Sequence, residues 1–272
     1  NLSRIHETDV LVIGGGAAAA RSAVAASASG ASVTMVLKKQ LGKSGATNYP
    51  GMNKHRVGSA WQAADGCGGA DDSPEVHYND IMLAAAGMAD ARMAKILAEE
   101  SPERLLELEG WGFELIDDPE GKRPHYSGYS CFASQPRAHG MVSNSTGGHT
   151  GTMVESLAAQ ANRHGTQVHE GVTVVDLIVE GGECTGAVAM NDDGELLIYR
   201  AAAVIMATGG AAQMFPLSHA PGDITGDGYA IAYRAGAELV NIEFMQYMVR
   251  EVKGVAPMGG GPWWTLNPVL RN

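Results

Sequence analysis

The stretch DVLVIGGGAAAARSAVAASASGASVTMVLKK, Asp9 to Lys39, decides the fold of this chain. It begins with Val10 to Ile13, a run of branched apolar residues that is typical of a parallel strand buried on both faces. After three glycines, the small side chains of Ala17 to Ser29 predict a helix that can pack close to a sheet. Gly30 ends that helix, and Val33 to Leu37 predicts a second parallel strand, which completes a β-α-β unit.

The glycines between the first strand and the helix have the spacing G-x-G-x-x-A, with Gly14, Gly16 and Ala19 at the marked positions. In a dinucleotide-binding turn the first position allows the tight turn, the second lets the backbone approach a pyrophosphate, and the third allows close helix–strand packing. A glycine turn that binds nothing is the alternative, but the strand–turn–helix context favours a dinucleotide site. The predicted site includes the whole turn: Gly14, Gly15, Gly16, Ala17, Ala18 and Ala19.

The end of the second strand lacks the acidic residue that usually holds the adenosine ribose. Leu37 is followed there by Lys38 and Lys39. Two lysines would suit the 2′-phosphate of NADP, so the glycine fingerprint alone leaves the identity of the dinucleotide open.

The composition excludes several other functions. The chain has 272 residues, a net charge of −11 and a pI near 5.2, which argues against a nucleic-acid surface. No apolar run approaches the length of a membrane span, and the first eight residues do not form a secretory signal. The three cysteines lie far apart and no histidine pair has metal-ligand spacing, so we expect no metal site and a cytoplasmic setting.

The segment LKKQLGKSGATNYPG, Leu37 to Gly51, resembles the flavin-binding segment of the succinate dehydrogenase and fumarate reductase flavoprotein family. That family includes L-aspartate oxidase and the α subunit of adenylylsulfate reductase. The resemblance implies FAD as the cofactor and predicts which residues of this segment line it: Leu37, Lys38, Ser44, Gly45, Ala46, Thr47 and Gly51.

The resemblance continues through most of the chain. The helical pattern of Asp72 to Leu115 is similar to the family's, with predicted helix starts at Pro74 and at Ser101-Pro102. From Val172 onward the sequence predicts a three-stranded antiparallel meander that returns to a buried strand, Ala203 to Ala207.

Two later motifs of this family add predicted FAD contacts. The motif ATGG contributes Ala207, Thr208 and Gly209, and the motif TGDG contributes Asp227, while the strand at Val172 would meet the adenine. The alternative for TGDG is that Thr225 or Asp227 caps the following helix.

The sequence also departs from the family. Where the respiratory enzymes have a histidine bonded to the flavin, this chain has Gly45, so we expect noncovalent FAD. Between Glu243 and Gly254 the family's substrate-binding Q-F-H-P-T is not retained, which argues against succinate or fumarate as such. The family's capping domain is also missing. Residues 1–272 are therefore interpreted as an N-terminal FAD-binding domain, a fragment that we expect to be inactive alone.

Catalytic residues are poorly defined by the sequence. Three residues of a loop rich in glycine and serine are candidates for anion binding or acid–base chemistry: Arg137, His139 and His149. A solvated surface position is the alternative for each, and His164 and His169 are interpreted as surface residues.

Taken together, the predictions describe an α/β, Rossmann-type FAD-binding domain with a helical insertion and a β-meander. The function implied by the resemblance is flavin-dependent oxidoreduction of a small, anionic substrate, and the electron partner would be an iron–sulfur protein. The alternatives are an NAD(P)-binding reductase and a non-catalytic truncated domain.

Overall fold

The computed structural model describes residues 4–43, 45–48, 56–58, 60, 71–115, 125–126, 134–135, 137–140, 152–218 and 220–245. The chain divides into two compact units. The first contains Asn1–Pro50 and Asn144–Val240, and the second contains Gly51–Ser143 and Asn241–Asn272.

The regular elements follow one another in this order: β1 (Arg4–Ile13), α1 (Ala17–Ala28), β2 (Val33–Leu37), β3 (Arg56–Gly58), α2 (Pro74–Ala84), α3 (Ala91–Gly110), β4 (His125–Tyr126), β5 (Ala138–Gly140), α4 (Thr152–Arg163), β6 (Gln167–Glu170), β7 (Val172–Glu180), β8 (Glu183–Asn191), β9 (Leu196–Met206) and α5 (Asp227–Arg234). Short 3-10 turns cover Ala46–Asn48 and Ala212–Met214.

A six-stranded sheet with the order β6-β2-β1-β9-β8-β7 forms the centre of the first unit. Strands β6, β2, β1 and β9 are parallel, whereas β9, β8 and β7 form an antiparallel meander. Ile13 pairs with Val36 on one side and with Met206 on the other, so three strands end at the same edge. The predicted α/β class and the β-α-β unit are confirmed.

One detail of the strand prediction was wrong. The third meander strand and the buried strand predicted at Ala203 to Ala207 are a single element, β9. Its first half pairs with β8, and it pairs along almost its whole length with β1. Because β9 belongs to both ladders, the meander and the parallel sheet are parts of one sheet.

Small side chains let α1 lie close to the sheet. Ala19, Ala20 and Ala23 have no exposed surface, and the neighbouring strand β2 is buried throughout. The larger core side chains come from both sheet ladders and from α5, and include Leu11, Ile13, Val36, Val172, Val174, Tyr199 and Ile231. Burying each large apolar side chain contributes roughly 1.5–3 kcal/mol to folding.

The second unit contains α2 and α3, and here a predicted helix start was wrong. Helix α2 begins at Pro74, as expected, with Ser73 accepting a hydrogen bond from the N–H of Val76. Helix α3, however, runs through Pro102 without a break, because its N-terminus is capped by Asp90. A proline inside a helix removes one backbone hydrogen bond, so the packing of α3 must offset that loss.

His169 is not a surface residue, in contrast to His164, which is exposed as predicted. Its Nδ1 lies 2.7 Å from the hydroxyl of buried Tyr199, and its ring contacts the ring of His6 at a centroid distance of 4.8 Å. Burial, with a smaller effect of His6, lowers the pKa of His169, and burial raises the pKa of Tyr199 to about 12. This cluster is therefore neutral near pH 7 and belongs to the core.

We expect Gly186→Ala to destabilise the first unit. A Cβ at this position would lie 1.9 Å from the carbonyl oxygen of Tyr199 on β9, and Gly186 has a φ of +154°. Overpacking and backbone strain together predict a loss of about 3 kcal/mol in the free energy of unfolding, measured by urea denaturation. Gly222→Ala is the control, because no atom lies within 4 Å of its would-be Cβ. A Gly186 variant as stable as that control would contradict the prediction.

Candidate functional site

A cleft of about 480 Å³ opens in the first unit at the edge where β1, β2 and β9 end. Its volume falls within the range of small-molecule sites, about 300–1,000 Å³. Most predicted cofactor residues line it: Gly14, Gly15, Gly16, Ala17, Ala18, Leu37, Lys38, Gly45, Ala46, Thr47, Val172, Ala207, Thr208, Gly209 and Asp227. Ala19 does not line the cleft and is buried behind the turn, while Ser44 and Gly51 lie outside the described residues.

The turn between β1 and α1 has no room for side chains on its inner side. A Cβ on Gly14 would lie 2.2 Å from the carbonyl oxygen of Ala207, and one on Gly15 would lie 2.3 Å from Cδ1 of Leu37. Gly16 differs, because no atom lies within 4 Å of its would-be Cβ. The first two glycines are therefore required by packing, whereas Gly16 faces open space.

The N-terminus of α1 borders the same cleft. Its N-cap residue is Gly16, and no side chain forms a capping hydrogen bond there. The N–H groups of the first helical turn have no intrahelical acceptor, and the helix dipole adds partial positive charge at this end. Since Gly16, Ala17 and Ala18 all line the cleft, this helix end is suited to an anionic ligand.

The loop after β2 lies directly against the glycine turn. Gly45 has a φ of +80°, and its would-be Cβ is 3.2 Å from the Cα of Gly16. Its N–H donates a hydrogen bond of 3.0 Å to the carboxylate of Asp223, which also lines the cleft. The sequence analysis did not identify Asp223, because no motif links it to a backbone group 178 residues earlier.

Lys38 forms an ion pair with Asp227 in the cleft. The Lys38 ammonium also donates to Oγ1 of Thr225 over 2.6 Å, and that hydroxyl donates to the Asp227 carboxylate over 2.8 Å. The hydrogen bond from Lys38, followed by that from Thr225, lowers the pKa of Asp227 despite partial burial. The proposed capping alternative is wrong for both residues, because the N-cap of α5 is Gly226, without a side-chain hydrogen bond.

Arg137 is buried in the second unit, between two carboxylates. Its Nε and Nη2 donate to Asp72 over 3.1 and 2.7 Å, and its Nη1 donates to Asp80 over 2.7 Å. Burial opposes ionisation of Asp80, but hydrogen bonds from Arg137 and Ser134 outweigh it and lower the pKa of Asp80. Arg137 is therefore better explained as a structural cation than as a residue that binds a substrate anion.

The two histidine candidates gain no catalytic setting. His139 lies on β5, where its backbone pairs with Val57 and His125, and His149 is outside the described residues. Within the described part of the chain, no three His, Cys, Asp or Glu residues could hold a metal ion. In that same part, no helix has the length and apolar character needed to cross a bilayer.

Comparison with known proteins gives consistent matches. The family model described as "FAD binding domain" matches residues 9–261. The flavoprotein of a fumarate reductase (CoM/CoB) from Methanothermobacter marburgensis is 32% identical over 250 residues, which cover 90% of this chain and 43% of that protein. The succinate dehydrogenase flavoprotein subunit of Rickettsia bellii is 30% identical, with coverage of 89% and 40%.

The solved structures agree with these sequence matches. The structure titled Mycobacterium smegmatis Sdh1 in complex with UQ1 superposes with a TM-score of 0.76 at 29% identity, covering 89% of this chain and 40% of the other. The chain thus spans about two fifths of the length of the relatives that it matches.

We expect Arg137→Met to destabilise the second unit strongly, because it leaves two buried carboxylates without their cation. Removing one partner of a buried ion pair costs about 3–5 kcal/mol, here measured as the free energy of unfolding at pH 7. Arg92→Met is the control, since Arg92 is exposed on α3, and a change within about 0.5 kcal/mol is expected there.

The cost of the Arg137 substitution should shrink in acid. The lowered pKa of Asp80 means that the wild-type ion pair contributes stability above pH 3.8, the ordinary value, and loses it as pH falls through the folded-state pKa. In the variant the unpaired carboxylates are relieved by protonation. An equal cost at pH 7 and pH 3 would contradict this explanation.

Proposed function

Because the chain belongs to the FAD binding domain family, within the fumarate reductase and succinate dehydrogenase flavoproteins, we propose that it holds FAD in the cleft of the first unit. In the whole protein this unit would be the cofactor-binding part of a flavin-dependent oxidoreductase. The observation that carries the proposal is the uncapped N-terminus of α1, placed behind a glycine turn at the edge where three strands end.

The residues present fit the pyrophosphate of FAD. Gly16 leaves open space where a side chain would otherwise stand, so the phosphates can approach the backbone. The N–H groups of Ala17 and Ala18 belong to the first turn of α1 and supply donors without bringing a charged side chain. This arrangement matters in a chain with a net charge of −11, which would otherwise repel an anion.

The remaining cleft residues fit the rest of the cofactor. Val172 and Asp227 would border the adenosine end, while Gly45, Ala46 and Thr47 would border the flavin, together with Thr208 and Gly209. Bound FAD supplies hydride exchange with a substrate carbon, and the chain's own task is to hold and orient the cofactor.

We further propose that FAD is bound noncovalently. Gly45 stands where the respiratory enzymes have their flavin-linked histidine, and glycine has no atom that could form such a bond. The local backbone explains the residue as well, because a φ of +80° and a distance of 3.2 Å to the Cα of Gly16 both disfavour a side chain. A histidine could be accommodated only if this loop adopted another conformation.

The alternative of an NADP-dependent reductase loses its main support. It was based on the lysines after β2 as partners for a 2′-phosphate, but Lys38 is already paired with Asp227 and Thr225. A nucleotide phosphate at this position would have to compete with a carboxylate of the protein. Asp227 also provides a carboxylate near the end of β2, where the sequence has no acidic residue.

The substrate and the electron partner are proposed for the whole protein. A small anionic substrate is suggested by the family, although the family's substrate motif is not retained between Glu243 and Gly254. An iron–sulfur partner is suggested because both relatives are named as one subunit of a larger enzyme, and because the described residues offer no metal site. Assays of substrate turnover therefore require the full-length protein.

The purified chain should show flavin absorption bands, either as isolated or after FAD is added and excess is removed. After acid precipitation the yellow colour should remain in the supernatant, because Gly45 cannot bond to the flavin. A yellow pellet would contradict noncovalent binding. A chain that stays colourless, while a longer version of the protein is yellow, would mean that residues outside this chain are required.

Gly16→Ala should weaken FAD binding and leave the fold intact. The new methyl group enters open space, so the free energy of unfolding should change by no more than about 0.5 kcal/mol. Because the methyl group occupies the phosphate approach, we expect the Kd for FAD to rise about tenfold or more, measured by flavin fluorescence titration. Gly14→Ala is the matched control, since its methyl group meets the Ala207 carbonyl and should instead destabilise the fold. An unchanged Kd for Gly16→Ala would argue against the phosphate site.

A further inference from the structure

The loop between β2 and the Ala46–Asn48 turn is held at two points by carboxylates from elsewhere in the first unit. The N–H of Leu41 donates a hydrogen bond of 2.8 Å to Oε1 of Glu170, which ends β6. The N–H of Gly45 donates a hydrogen bond of 3.0 Å to Oδ2 of Asp223. Only the second of these points lies in the cleft, beside the glycine turn.

Asp223 is itself held in place. The neighbouring Ile224 is buried, and its carbonyl oxygen accepts a hydrogen bond of 3.0 Å from the N–H of Gln213. The N–H of Ile224 donates to the carbonyl oxygen of Pro221 over 3.2 Å, which closes a turn around Asp223. Two residues further along, Thr225 bonds to Lys38. The carboxylate of Asp223 is therefore presented to Gly45 by a fixed backbone.

The contact between Gly45 and Asp223 determines where the loop lies. Gly45 sits against Gly16, with 3.2 Å between the would-be Cβ of Gly45 and the Cα of Gly16. A backbone N–H bonded to an ionised carboxylate is roughly twice as strong as a neutral hydrogen bond. Asp223 thus keeps the loop packed on the phosphate-binding turn, in a chain that has no covalent link at Gly45.

We propose that Asp223 is a positioning residue, which fixes the loop Lys38–Thr47 over the glycine turn and thereby sets the affinity for FAD. The second half of this statement rests on the proposed function. The first half concerns the protein alone. Asp223 acts through the backbone of Gly45 and has no part in the chemistry of the cofactor.

Limited proteolysis of the ligand-free chain tests the first half. Lys39 and Lys43 are exposed in the loop, so trypsin cleavage after them reports how often the loop leaves its packed position. We expect Asp223→Ala to speed cleavage at these two lysines about three- to tenfold, because one charge-assisted hydrogen bond is lost. Cleavage after Arg163, in the same unit, should not change.

Two further variants separate this contact from a general effect of charge. Asp223→Asn keeps an oxygen acceptor for the Gly45 N–H, so its cleavage rate should lie between those of the wild type and Asp223→Ala. Asp193→Ala removes an exposed acidic side chain in the turn after β8 and should cleave like the wild type. Equal cleavage of Asp223→Ala and wild type after Lys39 and Lys43 would overturn the proposal.

Flavin fluorescence titration tests the second half. We expect the Kd for FAD to rise about tenfold in Asp223→Ala and less in Asp223→Asn, with Asp193→Ala unchanged. If the wild type binds FAD and Asp223→Ala binds it equally well, Asp223 does not set the affinity and this inference fails. If the wild type does not bind FAD although the loop cleaves as expected, the pinning stands and the proposed function is overturned.

Discussion

The close approach of the β1–α1 turn to the end of β9 is the constraint on which the site depends. The carbonyl oxygen of Ala207 occupies the space that a side chain on Gly14 would need, and the N–H of Ala207 bonds to the carbonyl oxygen of Ile13. This approach exists because β1 lies between β2 and β9 in a common parallel register. It places the N-terminus of α1 at the edge where all three strands end, which is where open α/β sheets bind their ligands.

The site is suited to an anion despite the acidic composition of the chain, since its positive potential comes mainly from backbone dipoles. Two carboxylates also line the cleft, but neither faces it unpaired. Asp227 is balanced by Lys38, and Asp223 accepts the N–H of Gly45. Both acidic residues therefore hold the loop after β2 in place. An acidic net charge is compatible with phosphate binding when the carboxylates are used in this way.

Arg137 illustrates why charged residues are difficult to interpret from sequence. In a glycine- and serine-rich loop, an arginine is equally compatible with an anion site and with a solvated surface. The partners that decide the matter, Asp72 and Asp80, lie more than fifty residues earlier in the chain. Pro102 is a similar case, because the cap at Asp90 and the packing of α3 outweigh the strong local signal of a serine–proline pair.

The sequence by itself determined the β-α-β unit, the glycine turn and the β-meander, because these features follow from hydrophobic periodicity and from backbone conformations that only glycine adopts easily. Most of the cleft lining was also predicted, since it lies in short local motifs. Only the tertiary structure decided that the meander shares β9 with the parallel sheet, that Lys38 is paired, and that Asp223 reaches Gly45. Those contacts join residues that are far apart in sequence, and no local pattern encodes which distant group arrives beside a given side chain.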